Sequence, residues 1–152
     1  MPPDNLKALE DWAEPIIRQL QPAQRRQLAR EALRIIRPSQ RNRIRAQLNP
    51  DGTPFAPRKP RLRSQTGGIR RKAMFTKLRT ARLMRGKVQT DRVVLGWHGR
   101  TAGIAAVHQH GLSDRAGDDS PSVKYAQREV LGFTAAELER LAHLVLRHAA
   151  EL

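Results

Sequence analysis

The stretch FTAAELERLAHLVLRHAAEL, residues 133–152, decides the fold. Thr134 and Glu137 have the spacing of a capping box, and Phe133 with Leu138 can add a hydrophobic staple, so the start of a helix is well specified. Apolar residues then recur on one face of this helix: Leu138, Leu141, Val145, Ala149 and Leu152. We expect this face to lie on a sheet, with Arg140 and Arg147 on the outside.

Two more helices are predicted at the other end of the chain. The first carries its apolar residues at helical spacing, with Asp4 as a cap and Pro15 expected to kink it or to start a new turn. These apolar residues are Leu6, Leu9, Trp12, Ile16 and Leu20. Pro22 suits the first turn of a second helix, whose opposite face is strongly basic. The apolar stripe of that helix is Leu28, Ala32, Leu33, Ile35 and Ile36.

The second helix is expected to be interrupted and then to end in a turn. Pro38 should break it, and Ser39 can cap a continuation through Ile44 and Leu48. The following residues 49–52, Asn-Pro-Asp-Gly, have the chemistry of a turn.

The pattern changes to strands after a short helical piece around Met74. Residues 82–88, 92–97 and 101–107 are predicted strands, with Gly99 in the connection between the last two. Residues 111–122 are rich in Gly, Asp and Ser and indicate a polar loop. The predicted fold class is therefore α+β, in which N-terminal helices and a C-terminal helix flank a small antiparallel sheet.

Length and composition limit the class of protein. The 152 residues suit one domain, 1–152, with one modest core. The chain has no cysteine, which excludes disulfides and thiolate chemistry, and no leader or long apolar run, so we expect a protein that starts in the cytosol and contacts no membrane. A net charge of +15 implies a polyanionic neighbour, either nucleic acid or an acidic protein surface.

The positive charge is concentrated in a basic, proline-rich arm at residues 53–68 and in the residues that follow it. Its composition favours an extended backbone with few contacts within its own chain. The residues expected to contact a partner or phosphate are Arg58, Lys59, Arg61, Arg63, Arg70, Arg71 and Lys72. Docking on an acidic groove of another protein is the first interpretation. The alternative is a DNA-binding module that contacts phosphates non-specifically through the helix at residues 21–48 and this arm.

No pattern in the sequence favours an enzyme. His108 and His110 would share one face of a predicted strand, but a third metal ligand is missing. His143 and His148 are expected on a helix surface, and Asp114, Asp118 and Asp119 lack the spacing of a calcium loop and are expected in solvent. There is no nucleophile motif or phosphate-binding loop, so no catalytic residue, cofactor or metal is expected.

Several strings, taken in order, resemble the phage virion morphogenesis family, which includes tail-completion proteins of contractile-tailed phages. They are RIRAQ at 43–47, NPDGTPF at 49–55, KAMF at 72–75, AVHQHG at 106–111 and REVLGF at 128–133. Glu129 with Val130 departs from the more apolar pair that members often have.

The resemblance implies a structural role without catalysis. Such a protein, from a phage or a prophage, would be assembled in the bacterial cytoplasm and would end in the virion, at the head-proximal end of the tail. There it would help to join the tail to the head. The implied partners are tail tube or tail terminator proteins, head-tail connector proteins and further copies of the chain in a hexameric ring.

Overall fold

Four helices and two antiparallel hairpins form the part of the chain that the computed structural model describes, residues 5–59, 73–115 and 117–152. The elements are α1 (Leu6–Gln19), α2 (Pro22–Arg45), β1 (Arg85–Val88), β2 (Val93–Gly96), α3 (Gly99–His110), β3 (Ser113–Arg115), β4 (Ser122–Lys124) and α4 (Ala135–Ala149). This confirms the predicted α+β class. Among the described residues, no helix has the length and apolar character needed to cross a membrane.

Helix α1 begins at a cap and continues past its proline. The side chain of Asn5 accepts a hydrogen bond from the N–H of Ala8 at 2.8 Å, while the expected cap, Asp4, lies outside the described residues. Pro15 does not start a new helix, because α1 is continuous to Gln19. Pro15 has no N–H to donate to the carbonyl of Asp11. Both residues are exposed, so water can satisfy that carbonyl.

Helix α2 starts with Pro22 in its first turn, as predicted, but it has no break in its middle. The expected interruption at Pro38 is wrong, since the helix runs unbroken to Arg45. Pro38 is exposed, and beyond it Gln40, Arg43 and Ile44 are buried, so tertiary packing holds the turns on both sides of the proline. The helix ends before Leu48.

The turn predicted at residues 49–52 is confirmed, whereas the helical piece around Met74 is not. Gly52 has a φ of +86°, and Asp51 Oδ1 accepts a hydrogen bond from the N–H of Thr53 at 2.9 Å. Residues 76–79 and 81–83 form turns instead of a helix.

Two of the three predicted strands form a hairpin, and the third is a helix. β1 and β2 pair antiparallel, with Arg85 opposite Gly96 and Val88 opposite Val93. Residues 101–107 belong to α3, which begins at Gly99 and ends at Gly111 with a φ of +61°. The β-branched residues Thr101, Ile104 and Val107 favoured a strand. Their spacing of three residues, with alanines between them, also suits a helix, and the burial of Ala105 stabilises that helix.

The predicted polar loop at 111–122 contains part of a second hairpin. β3 pairs antiparallel with β4, and Asp114 lies opposite Val123. The described residues therefore form two separate two-stranded sheets rather than one meander.

Apolar side chains are buried in two regions that share α2. The helical core lies between α1, α2 and α4, where Leu138 and Leu141 meet Leu9, and Leu144 meets Leu28. The expectation that α4 lies on the sheet is thus wrong; its apolar face packs on α1 and α2, and Leu152 is 60% exposed. The mixed core is formed by the C-terminal part of α2, by the loops that follow and by α3: Ile44, Phe55, Met74, Leu78, Met84, Ala105 and Val130.

Candidate functional site

The predicted contact residues fall partly within the described structure. Arg58 and Lys59 are exposed, whereas Arg61, Arg63, Arg70, Arg71 and Lys72 lie outside the described residues. The guanidinium of Arg58 donates to the carbonyl oxygen of Ala73, and Lys59 Nζ donates to that of Lys124, both at 3.4 Å. These two cations therefore lie at the surface beside the chain that resumes at residue 73 and beside β4.

The start of the arm is anchored to the rest of the protein. Phe55 is buried, and its N–H donates to the carbonyl oxygen of Gln47 at 2.8 Å. Arg128 Nε donates to the Ala56 carbonyl at 2.6 Å, and its Nη2 donates to the Pro57 carbonyl at 2.8 Å. The expectation of few contacts within the chain is wrong for residues 53–59, because the extended backbone leaves these carbonyls free for a buried arginine. Residues 60–68 lie outside the described part.

Arg128 also affects the histidine beside it. Its Nη1 lies 3.4 Å from His108 Nδ1, and His108 packs edge-on against the rings of Phe75 and Tyr125. Burial, and then the charge of Arg128, lowers the pKa of His108. Burial is likewise the main cause that lowers the pKa of Arg128, with nearby Arg58 adding to it.

The histidines and aspartates do not form a metal site in the described residues. His108 and His110 lie two residues apart on α3, so they point to different sides, and the expectation that they share a strand face is wrong. His143 is exposed as expected, but His148 is buried, with its Nε2 3.6 Å from a carboxylate oxygen of Glu31. Within the described ranges, no group of three or more potential ligands could hold a metal ion.

A buried polar network holds α2 to the segment before α4. Arg43 Nη1 donates to the carbonyl oxygens of Leu48 and Glu129, each at 2.8 Å, and its Nη2 donates to Gln40 Oε1 at 2.6 Å. Gln40 Nε2 in turn donates to Glu137 Oε1 at 3.0 Å. Burial lowers the pKa of Arg43, while the charge of Glu137 opposes this shift. Sequence reasoning missed this network; polar residues on the helix face that also bears Ile36 and Ile44 were the available signal.

Three amide side chains join further segments. Gln47 binds both backbone groups of Met74, donating at 2.9 Å and accepting at 2.6 Å. Gln109 does the same with Leu131, at 2.8 and 2.9 Å. Asn49 Oδ1 accepts from the N–H of Glu129 at 3.0 Å. The strings quoted above thus meet in space, which gives a physical reason for their occurrence together.

Arginines also follow one face of α2, which we call the arginine stripe; Arg37 and Arg41 are half-buried and the others are exposed. Its members recur every three or four residues along about 28 Å of helix: Arg26, Arg30, Arg34, Arg37, Arg41 and Arg45. Arg37 donates to the carbonyl oxygens of Ala81 and Met84, and Arg41 to that of Arg79. Within the described part, the other four have no ion-pair partner.

A groove opens on the arginine stripe, and we call it the stripe groove. It has a volume of about 390 Å³ and apolar walls from Leu33, Pro38 and Val88. Its basic lining consists of Arg30, Arg34, Arg37 and Arg41. Such a groove can accept an acidic segment that also carries apolar side chains.

Comparison with known proteins adds the family. The model of the phage virion morphogenesis family matches residues 4–150. The chain belongs to this family. It is similar to "Tail completion protein S" of Escherichia phage P2, with 36% identity over 147 residues, which cover 95% of this chain and 97% of that protein. No solved structure matches the chain.

Proposed function

We propose that this protein is a non-enzymatic structural component that completes the head-proximal end of a phage tail and helps to join the tail to the head. The observation that carries the proposal is the similarity to a tail completion protein over nearly the full length of both chains. Polar side chains support a structural role, because buried Arg43 and Arg128 and half-buried Gln47 and Gln109 bind backbone groups of their own chain.

The proposal includes a single domain, a location and partners. Residues 1–152 act as one tail-completion domain that assembles in the bacterial cytoplasm and remains in the virion of a phage or a prophage-derived particle. It forms a ring, a hexamer by the tail's symmetry, on tail tube or terminator proteins and beside connector proteins. The partner contacts are Arg58, Lys59, Arg61, Arg63, Arg70, Arg71 and Lys72. The two of them that the structure describes, Arg58 and Lys59, are exposed and directly follow the backbone that Arg128 anchors.

A reconstruction of the head-proximal tail end tests the ring and its position. We expect density for a ring of this protein at that end, and its loss from tails made without the protein. One isolated copy per tail would contradict the ring. Tails that reach full infectivity without the protein would contradict the proposed function.

Charge reversal tests the partner contacts. Arg61→Glu with Arg63→Glu, and separately Arg58→Glu with Lys59→Glu, should reduce infectious particles at least tenfold, because an acidic partner surface would then be repelled. Arg100→Glu is the matched control, since Arg100 is exposed on α3, away from this segment in sequence. Unimpaired assembly by both double variants would remove these residues from the interface.

Non-specific contact with DNA is a second candidate function, and the arginine stripe is the observation that favours it. If the stripe binds phosphates, the isolated protein should bind duplex DNA with an affinity that falls steeply with salt. Arg30→Glu with Arg34→Glu should then weaken binding to all sequences alike. Absence of DNA binding at low salt would exclude this candidate.

A further inference from the structure

The hairpin of β3 and β4 is poorly covered by the part of the chain that the structure describes. All six strand residues are exposed, and so are two apolar side chains of this region, Leu112 at 45% and Val123 at 40%. A two-stranded hairpin alone is marginally stable in water, and its outer edges offer unpaired backbone groups. The described residues therefore leave this hairpin available for contact with a surface of another molecule.

The tip of the same hairpin is acidic, although Arg115 on β3 and Lys124 on β4 place cations on the strands. Asp114 lies on β3, and Asp118 and Asp119 lie in the connection to β4, all exposed and without an ion pair to any described residue. Three other exposed carboxylates form ion pairs: Asp11 with Lys7, Glu14 with Arg18 and Asp91 with Arg92. In a chain of net charge +15, the two adjacent aspartates, Asp118 and Asp119, make the tip of this hairpin locally acidic.

The stripe groove has the complementary chemistry. Arg30 and Arg34 on its rim have no ion-pair partner among the described residues, and Leu33 and Val88 supply apolar walls. Among the described residues, α1, α4, β1 and β2 pack against α2, and they leave the groove open.

We propose that the acidic tip of the β3–β4 hairpin in one copy docks in the stripe groove of the next copy. This inference deepens the proposed ring and rests on it. Charge complementarity selects a second copy: DNA would neutralise the stripe but repel the hairpin, whereas a second copy uses both surfaces. Because the hairpin tip and the stripe groove are different surfaces, the contact is heterologous. Repeating it closes a ring when the rotation between successive copies is a whole fraction of a turn.

A charge exchange between two variants tests the contact. The hairpin variant is Asp118→Arg with Asp119→Arg, and the stripe variant is Arg30→Glu with Arg34→Glu. Each variant alone should lose self-association at least tenfold, because like charges then face each other. A mixture of the two should regain it, since every hairpin can find an opposite stripe on the other variant. The chain with all four substitutions should also regain it.

Cysteine crosslinking provides the structural readout, since the chain has no cysteine of its own. Ser120→Cys lies beside the acidic tip and Pro38→Cys lines the groove, so both leave the charges intact. A chain that carries both should give a ladder of oligomers with a bismaleimide reagent, and the charge variants should shorten the ladder. Glu139→Arg and Arg100→Glu, at exposed positions elsewhere, are the charge-matched controls and should change nothing.

The outcomes separate this interface from the other possibilities. No ladder, or no recovery in the mixture, overturns the proposal. If only the stripe variant loses duplex DNA binding, and the mixture does not regain self-association, the stripe binds DNA instead. If crosslinking fails but the protein still completes tails, the interface is wrong and the proposed function stands. If a ladder forms but the protein never enters tails, the interface stands and the proposed function is wrong.

Discussion

At the scale of single residues, this protein buries polar side chains to bind its own backbone. Arg43 donates to carbonyl oxygens of two segments, Arg128 donates to those of the neighbouring residues Ala56 and Pro57, and buried Glu137 accepts from Gln40. Charge-assisted hydrogen bonds of this kind are stronger than neutral ones, and a lost partner leaves a costly unsatisfied group. We therefore expect truncation of these side chains to affect stability.

Glu137→Ala should lower the free energy of unfolding by about 2 to 4 kcal/mol, because it removes the capping box and leaves a buried donor of Gln40 without its acceptor. Urea unfolding measures this change. Glu139→Ala, two residues away and exposed, is the control and should stay within about 0.5 kcal/mol of the parent. Equal losses in the two variants would show that the network does not matter for stability.

His108 should make stability depend on pH. Its folded-state pKa is lowered from 6.5, so the unfolded state binds the proton more readily, and stability should fall as pH drops below about 6.5 toward the lowered value. His108→Phe keeps an aromatic ring between Phe75 and Tyr125 and should show less of this loss. The comparison is made by urea unfolding at several pH values. Exposed His110→Gln is the control, and an unchanged pH profile in His108→Phe would contradict the assignment.

At the scale of elements, the sequence predicted the start of α4 correctly, but it did not predict the type of element at residues 101–107 or the continuity of α2. The capping box of Thr134 and Glu137 is local, so α4 and its start could be read from sequence. Residues 101–107 could not, because β-branched residues favour a strand locally and only tertiary burial of Ala105 decides for α3. Pro38 is similar: its local cost is overcome by buried residues that follow it in α2.

The candidate site shows the same division between local and distant information. The basic face of α2 follows from helical spacing alone, and it was predicted. Contacts such as Arg128 with Ala56, or Arg43 with Glu129, join residues far apart in the chain, and no periodicity specifies them.

Leu141→Ala should cost about 2 to 5 kcal/mol of stability, because Leu141 is buried where α4 meets α1 and α2. Thermal or chemical unfolding measures the loss. Leu146, which is 49% exposed on the same helix, gives the matched control, and Leu146→Ala should have a much smaller effect. A parental melting temperature for Leu141→Ala would place this face outside the core.

At the scale of the whole molecule, α2 connects the helical core with the mixed core. Leu28 near its start belongs to the first, and Ile44 near its end belongs to the second. One continuous helix cannot unravel in its middle at low cost, so the two cores should lose their structure together.

The two tryptophans can test this cooperation. Trp12 is 37% exposed on α1, the helix that contributes Leu9 and Ala13 to the helical core. Trp97 packs on the mixed core, with its Nε1 donating to the Leu78 carbonyl at 2.8 Å. Trp12→Phe and Trp97→Phe leave one fluorescent reporter in each region. Both variants should show a single urea transition, and Ile44→Ala should shift the Trp12 signal as well as the Trp97 signal. A midpoint shift confined to Trp97 would show that the cores unfold independently.

The position of α4 has a consequence for synthesis on the ribosome. Helices α1 and α2 are translated first, but the side chains that cover them, such as Leu141 and Leu144, belong to an element translated after the others described here. Until those residues emerge, the nascent chain holds an open apolar surface under a strongly cationic exterior. The helical core therefore cannot close before α4 has been translated, and the growing polypeptide is a natural client for chaperones that shield apolar segments.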